Sequence, residues 1–329
     1  MRRRVLWGLF GVVLASCATV PASSCAPAAR GVSCLRRAAA ATLRTSRPRD
    51  DDGLSPSQVK AMLRDFTETL RRRYGVADER QLEAGRRLAG RLVVPVRFHV
   101  ITDGRNGRLT TATIDQQIRG LNAAYGGATG GADTGVSFRL ISADAVSNAD
   151  WFERPHELQG PMLGALVKGG PGTLNLFTAE VGSEVLGFSS FPQAYRSRPG
   201  LDAVVVDYRS VPGGSFAHFN RGYTAVHEIG HWLGLFHPFE NGCVPPGDGV
   251  DDTPYESTPT TGCPSFKDTC PQPGSDPVHN FMDYAWDPCM TSFTPGQGLR
   301  IRAMWAAYRA GPAGSPLLRQ ARTNAQVRK

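Results

Sequence analysis

Tyr223-Thr224-Ala225-Val226-His227-Glu228-Ile229-Gly230-His231-Trp232-Leu233-Gly234-Leu235-Phe236-His237 is the stretch on which the reading of this 329-residue chain turns. Val226, Ile229 and Leu233 recur at helical spacing, so residues 223–235 read as a helix with one apolar face. On such a helix His227 and His231 project from the same side and can bind one ion. Glu228 lies beside them, placed to take a proton from a water on that ion. Gly234 permits backbone angles that a bulky residue could not adopt, and the sharp exit it allows brings His237 round as a third ligand. Three neutral imidazoles leave the fourth position on a zinc ion (Zn2+) open to water, which marks a catalytic rather than a closed structural site. Zinc lowers the pKa of that water and polarises a scissile carbonyl. At average residue usage these five fixed positions arise by chance about once in 10^5 chains of this length, so the alternative of ordinary buried histidines is set aside.

Outward from this helix, the chain reads as an α/β layer. Residues 92–101, 136–141, 173–178 and 201–208 carry the β-branched and aromatic runs of strands, and 113–125 has Ile114, Ile118, Leu121 and Ala124 on one helical face. Strands alternating with helices predict a twisted, mostly parallel sheet. After Pro238 the text turns irregular and rich in Gly, Pro, Asp, Thr and Cys to about residue 279, a stretch that needs cross-links to hold it. A last helix is expected over 295–308, with a loose tail at 311–329.

The N-terminal third has a different character. Arg2-Arg3-Arg4 followed by an apolar run over 5–15 reads as an export signal, too short to span a bilayer. Leu14-Ala15-Ser16-Cys17 also resembles a bacterial lipobox, which would make Cys17 a lipid anchor on the outer face of a membrane; cleavage just downstream by ordinary signal peptidase is the alternative. The expected divisions are a signal at 1–17, a low-complexity leader and helical pro-segment at 18–91, a catalytic domain at 92–310 and a tail at 311–329. Ser55-Pro56 opens a helix with Val59, Met62, Leu63, Phe66 and Leu70 on one face, and a weaker helix follows over 79–88. Arg71-Arg72-Arg73 and Arg86-Arg87 are candidate maturation sites, giving a mature enzyme that begins near Leu92.

The net charge of +8 does not indicate a nucleic-acid partner. Residues 1–91 hold 18 Lys/Arg against 8 Asp/Glu, whereas 92–329 hold 19 against 21, so the basicity belongs to the leader. Seven cysteines fit an oxidising compartment: Cys17, Cys25 and Cys34 in the leader, and Cys243, Cys263, Cys270 and Cys289 after the histidines. Four cysteines allow three pairings, and the absence of a close Cys-x-x-Cys pair argues against a structural zinc site there. His99, His156, His218 and His279 are expected to be surface or supporting residues, because His237 already completes the ligand set.

The pattern His-Glu-x-x-His-x-x-Gly-x-x-His, followed by Asn280-Phe281-Met282-Asp283-Tyr284, resembles the metzincin metallopeptidases, which carry a methionine turn beneath the zinc. Trp232, the run Gly247-Asp248-Gly249-Val250-Asp251-Asp252-Thr253-Pro254, Asp268-Thr269-Cys270, and Cys289-Met290-Thr291-Ser292-Phe293-Thr294-Pro295-Gly296-Gln297 resemble the pappalysin family in particular, over about residues 92–310. The resemblance implies a secreted zinc endopeptidase acting on polypeptide substrates, with Met282 as the supporting methionine and Tyr284 stabilising the tetrahedral intermediate. It implies the disulfides Cys243–Cys270 and Cys263–Cys289, and a substrate lying along a strand that includes Gly187, Phe188 and Ser189. It also implies that the loop can hold calcium (Ca2+); Asp248, Asp251, Asp252 and Thr253 offer suitable oxygens, with a metal-free polar turn as the alternative. Some members prefer a basic residue after the scissile bond, for which Asp283 or Asp287 is the candidate. Cys25 or Cys34 is a candidate for holding the zinc in a latent form, with a leader disulfide as the alternative. Two other functions compete with peptidase. A surface binding protein with structural zinc has no use for Glu228, and a non-peptidase zinc hydrolase such as an amidase accounts less well for Met282 and Tyr284.

Overall fold

The computed structural model describes residues 53–311 other than 86, 87 and 89; Cys17, Cys25, Cys34, Arg86, Arg87 and nearly all of the tail lie outside the described residues. Its centre is a five-stranded sheet of β1 (Leu92–Thr102), β2 (Val136–Ser147), β3 (Leu174–Ala179), β4 (Gly187–Ser189) and β5 (Val204–Asp207). The spatial order is β2-β1-β3-β5-β4, with all pairs parallel except β4 against β5. A mostly parallel sheet was expected, and this is one.

Side chains alternate across the sheet, and each face has its own core. Val94, Val96, Phe98 and Val100 of β1, Leu174 and Leu176 of β3, and Val204 and Val206 of β5 pack on one face. That face is covered by α3 (Thr111–Tyr125) and α6 (Tyr223–Trp232). Ile101, Phe177, Val205 and Phe188 point the other way. They are covered by α4 (Ala149–Glu153) and α5 (Gln159–Leu166), two short helices that the sequence reading leaves unassigned. Neither is long enough to display a helical period; α4 is started by the Asn148 side chain accepting from the Trp151 amide. Residues 199–201 form a tight 3-10 turn, so the strand read over 201–208 shortens to β5.

The segment after His237 contains no long element until α7 (Pro295–Met304), which widens into a π-helical turn, Trp305–Arg309. Two disulfides, Cys243–Cys270 and Cys263–Cys289, staple it across sequence separations of 27 and 26 residues. The lead-in helices α1 (Pro56–Tyr74) and α2 (Glu79–Ala84) dock on α7. Phe66, Leu70 and Leu82 pack against Ala303, Met304, Ala307 and Tyr308. Glu79 pairs with Arg300, Glu83 with Arg302, and the Tyr308 hydroxyl donates to Asp65. Arg71-Arg72-Arg73 form the last turn of α1 rather than an open loop. Among the described residues no helix is long and apolar enough to cross a membrane.

Candidate metal centre

The helix that carries His227 and His231 ends at Trp232, three residues earlier than its apolar pattern predicts. Gly234 takes φ +97, the left-handed region that side chains disfavour, and a Cβ there would lie 2.6 Å from Cγ of Met304. The turn sends Leu235–Phe236 back along the helix and sets His237 beside the first two histidines. All three rings are buried. Nε2 of His231 lies 3.1 Å from Nε2 of His227 and 3.1 Å from Nε2 of His237.

The other ring nitrogens explain this convergence. His227 Nδ1 donates to the carbonyl of Phe281 at 2.8 Å, and His231 Nδ1 donates to that of Leu235 at 2.8 Å. A carbonyl only accepts, so in the neutral rings Nδ1 carries the proton and Nε2 presents a lone pair. His237 Nδ1 is held by Glu240 Oε2 at 3.0 Å, the carboxylate–histidine pairing that orients metal ligands. Lone pairs converging at this distance repel unless a cation lies among them. Three nitrogens at the ordinary zinc distance and tetrahedral angles stand about 3.3 Å apart, so the donor set fits zinc in both chemistry and spacing. Among the described residues, these histidines are the group of three or more metal-ligating side chains whose donor atoms converge.

Met282 lies directly beneath the ligand helix. A Cβ on Gly230 would sit 2.3 Å from its Sδ, so glycine is what lets the methionine turn close against the helix. The Met282 amide donates to Asn280 Oδ1, and Asn280 and Gln297 exchange side-chain amide hydrogen bonds at 2.9 and 3.1 Å, fastening the turn to the start of α7. Tyr284 brings its hydroxyl to 3.3 Å from His237 Nε2. Glu228 is buried, with its carboxylate against the backbone of β4: a Cβ on Gly187 would lie 2.7 Å from both Cγ and Oε1 of Glu228.

A small open cleft lies beside Glu228 and His227, bounded by Gly187, Tyr223, Tyr284 and Met290. Asp283 and Asp287, left unplaced by the sequence, both line it. Burial pushes Asp287 up to about 7, against the opposing effect of the Arg221 and Tyr223 amides that donate to it. Burial likewise raises Asp283, whose Oδ1 accepts from the amides of Thr260 and Tyr284.

The four calcium candidates are not gathered at one point. Asp251 is exposed and pairs with Arg80, and Asp252 accepts from Thr294 Oγ1 and the Gly296 amide at the start of α7. Asp248 and Thr253 are buried. His99 departs from its expectation of a surface or supporting place. It is 1% exposed, stacked on Phe177, with Asp144 and Asn175 on its two nitrogens, a polar knot inside the sheet. His156 meets Phe188 edge-on, His218 stacks on Trp286, and His279 donates to the Cys289 carbonyl. Glu240 was not read from the sequence, although a carboxylate three residues after a ligand was a signal available for it. Phe191 against His231 and Phe239 against His237 had no local signal.

Known proteins are similar to this chain. A family model described as pregnancy-associated plasma protein-A, of the M43 peptidases, matches residues 178–306. An extracellular metalloprotease of Arthroderma benhamiae is 40% identical over 232 residues, 68% of this chain and 75% of the relative. One from Pyricularia oryzae is 43% identical over 226 residues, 67% and 77% of the two chains. Among solved structures, mature mirolysin of Tannerella forsythia in complex with a cleaved peptide superposes with a TM-score of 0.57 at 27% identity, over 66% of this chain and 92% of that one. A promirolysin mutant gives 0.58 at 25% identity, over 73% and 91%. With its three-histidine centre and its close relatives, this chain belongs to the pappalysin family of metzincin zinc metallopeptidases.

Proposed function

We propose that the chain is a secreted endopeptidase in which Glu228 is the general base and Tyr284 the electrophilic partner. The observation that carries this reading is the convergence of three proton-free Nε2 atoms beside a buried carboxylate, at the edge of a sheet. Zinc held by His227, His231 and His237 supplies Lewis acidity toward water and a peptide carbonyl. Glu228 takes the proton of the attacking water on its carboxylate and passes it to the departing amine. Tyr284 donates its phenolic hydrogen to the oxyanion that develops on the substrate.

The substrate lies along β4. Asp207 donates to the Leu186 carbonyl and Ser190 donates to that of Ala203, so residues 186, 188 and 190 bond to β5. By the alternation of an antiparallel pair, the main-chain groups of Gly187 and Ser189 point away from β5, on the side where a substrate peptide adds as a further strand. Asp287 at the cavity wall, with Asp283 beside it, supports a preference for Lys or Arg after the scissile bond. The export signal and the extracellular metalloproteases among the relatives support secretion. Calcium enters the reading at Asp248 and Thr253, the two buried candidates, and a higher melting temperature in calcium than in EGTA, at constant zinc content, is its test. The decisive experiment is digestion of casein by wild-type, Glu228→Ala and chelator-treated protein; equal digestion by all three overturns the reading.

A further inference from the structure

At Trp232, one turn beyond Glu228 on the zinc helix, lies a buried ion pair that the catalytic reading does not use. Arg309, the last residue of the π-helical turn, has a fully buried side chain and reaches Asp202, 107 positions earlier. Its NH1 and NH2 donate to the two carboxylate oxygens at 2.9 and 3.1 Å. Its Nε donates to the carbonyl of Trp232 at 2.9 Å, its NH1 also to that of Pro171 at 2.8 Å, and its guanidinium lies 3.5 Å from the centre of the Trp232 ring. Asp202 accepts two more bonds: from the indole Nε1 of Trp232 at 3.2 Å and from the hydroxyl of Ser190 at 2.9 Å. The same Ser190 oxygen accepts from the Ala203 amide at 3.2 Å.

The three groups so joined come from three separate elements. Ser190 follows the last residue of β4, Trp232 follows the ligand His231, and Arg309 ends the C-terminal helix. A buried ion pair gains little net stability, because desolvation offsets its attraction, but its geometry is narrowly defined. We infer that Asp202 and Arg309 are positioning residues: they hold the far end of the substrate strand at a set distance from the zinc helix. This rests on the reading that peptide adds to the edge of β4. Asp202 acts on that strand through Ser190, and on the helix through Trp232. Arg309 orients the carboxylate so that both contacts form together.

The test uses the full chain and two substrates: a peptide, and the same peptide N-methylated in the segment that would pair with β4. In the wild type the methylated peptide has a raised KM; equal KM values overturn the strand reading and this inference with it. With that control satisfied, Ser190→Ala raises KM for the unmethylated peptide about three- to tenfold, the effect of one hydrogen bond, while kcat and zinc content stay at wild-type values and Tm falls by only a few degrees. Asp202→Leu/Arg309→Met removes the pair without stranding a buried charge, so it keeps its fold and zinc and shows a similar rise in KM. Adding Ser190→Ala to that double variant raises KM no further. A wild-type KM in Ser190→Ala, or effects that multiply in the triple variant, overturns the positioning role and leaves the strand reading intact.

Discussion

At Gly187 the missing side chain is a requirement of the neighbouring carboxylate. A methyl group there would lie 2.7 Å from Glu228 Cγ and Oε1, so one of the two must move. Because displacement of about 1 Å costs on the order of 10²-fold in rate, Gly187→Ala is expected to lower kcat/KM by about that factor with zinc retained, as measured by peptide hydrolysis and metal analysis. Glu228→Gln keeps the volume but removes the base, and a fall in kcat of about 10²–10⁴-fold is expected. Asp287 gives rise to two opposite pH dependences. Burial raises its folded-state value from the ordinary 3.8 to about 7, so its protonated form suits the fold. Its contribution to stability is complete below about pH 4 and is lost as pH rises through about 7. Recognition of a cationic substrate side chain runs the opposite way, since it needs the carboxylate. The ratio of kcat/KM for a peptide with Arg after the scissile bond to one with Leu should therefore rise as pH increases through about 7, and flatten in Asp287→Asn. A ratio independent of pH in the wild type removes Asp287 from the specificity reading.

Among the elements, the Gly234 turn and the stapled loop carry the load of assembling the site. Gly234→Val would force a branched residue into φ +97 and against Met304, so His237 leaves the cluster. Dialysed Gly234→Val protein is expected to retain less than one zinc per chain and almost no activity; full zinc occupancy would mean that the turn tolerates a side chain. The loop joined by Cys263–Cys289 ends beside the methionine turn, with a Cα separation of 5.6 Å across the bridge. Its removal as Cys263→Ser/Cys289→Ser should cost about 2–4 kcal/mol, read as a lower denaturant midpoint. The elements that sequence reading misses have a common cause. α4 and α5 span 5 and 8 residues, too few for a periodic signal; β4, three residues long, is reached only through the family resemblance. The early end of α6 at Trp232 follows from the turn at Gly234, which overrides an apolar pattern that itself runs on.

On the scale of the whole molecule, the lead-in helices are part of the packing that backs the metal centre. Phe66, Leu70 and Leu82 cover Met304 and Tyr308, and Met304 in turn abuts Gly234. A maturation point near Leu92 would uncover that surface. With about 1.5–3 kcal/mol for each large side chain withdrawn from water, a chain starting at Leu92 is expected to be less stable than one starting at Gly53 by several kcal/mol. Equal melting of the two chains would instead favour a detachable pro-segment. Much of this molecule is written locally. The spacing of His227, His231 and His237, the glycine between them, the tyrosine two residues beyond Met282 and the alternating strands each occupy a short window, where helix and strand periods act directly. Other features join residues far apart in the chain: Arg309 with Asp202 and Trp232, His99 with Asp144 and Asn175, and Glu228 with Gly187. No period or spacing reports such contacts, because they exist only once the strand order β2-β1-β3-β5-β4 has brought the segments together. The sequence by itself determined which atoms are suited to hold the metal; the tertiary structure decided what holds those atoms in place, since orientation in a buried site is set by neighbours that only folding supplies.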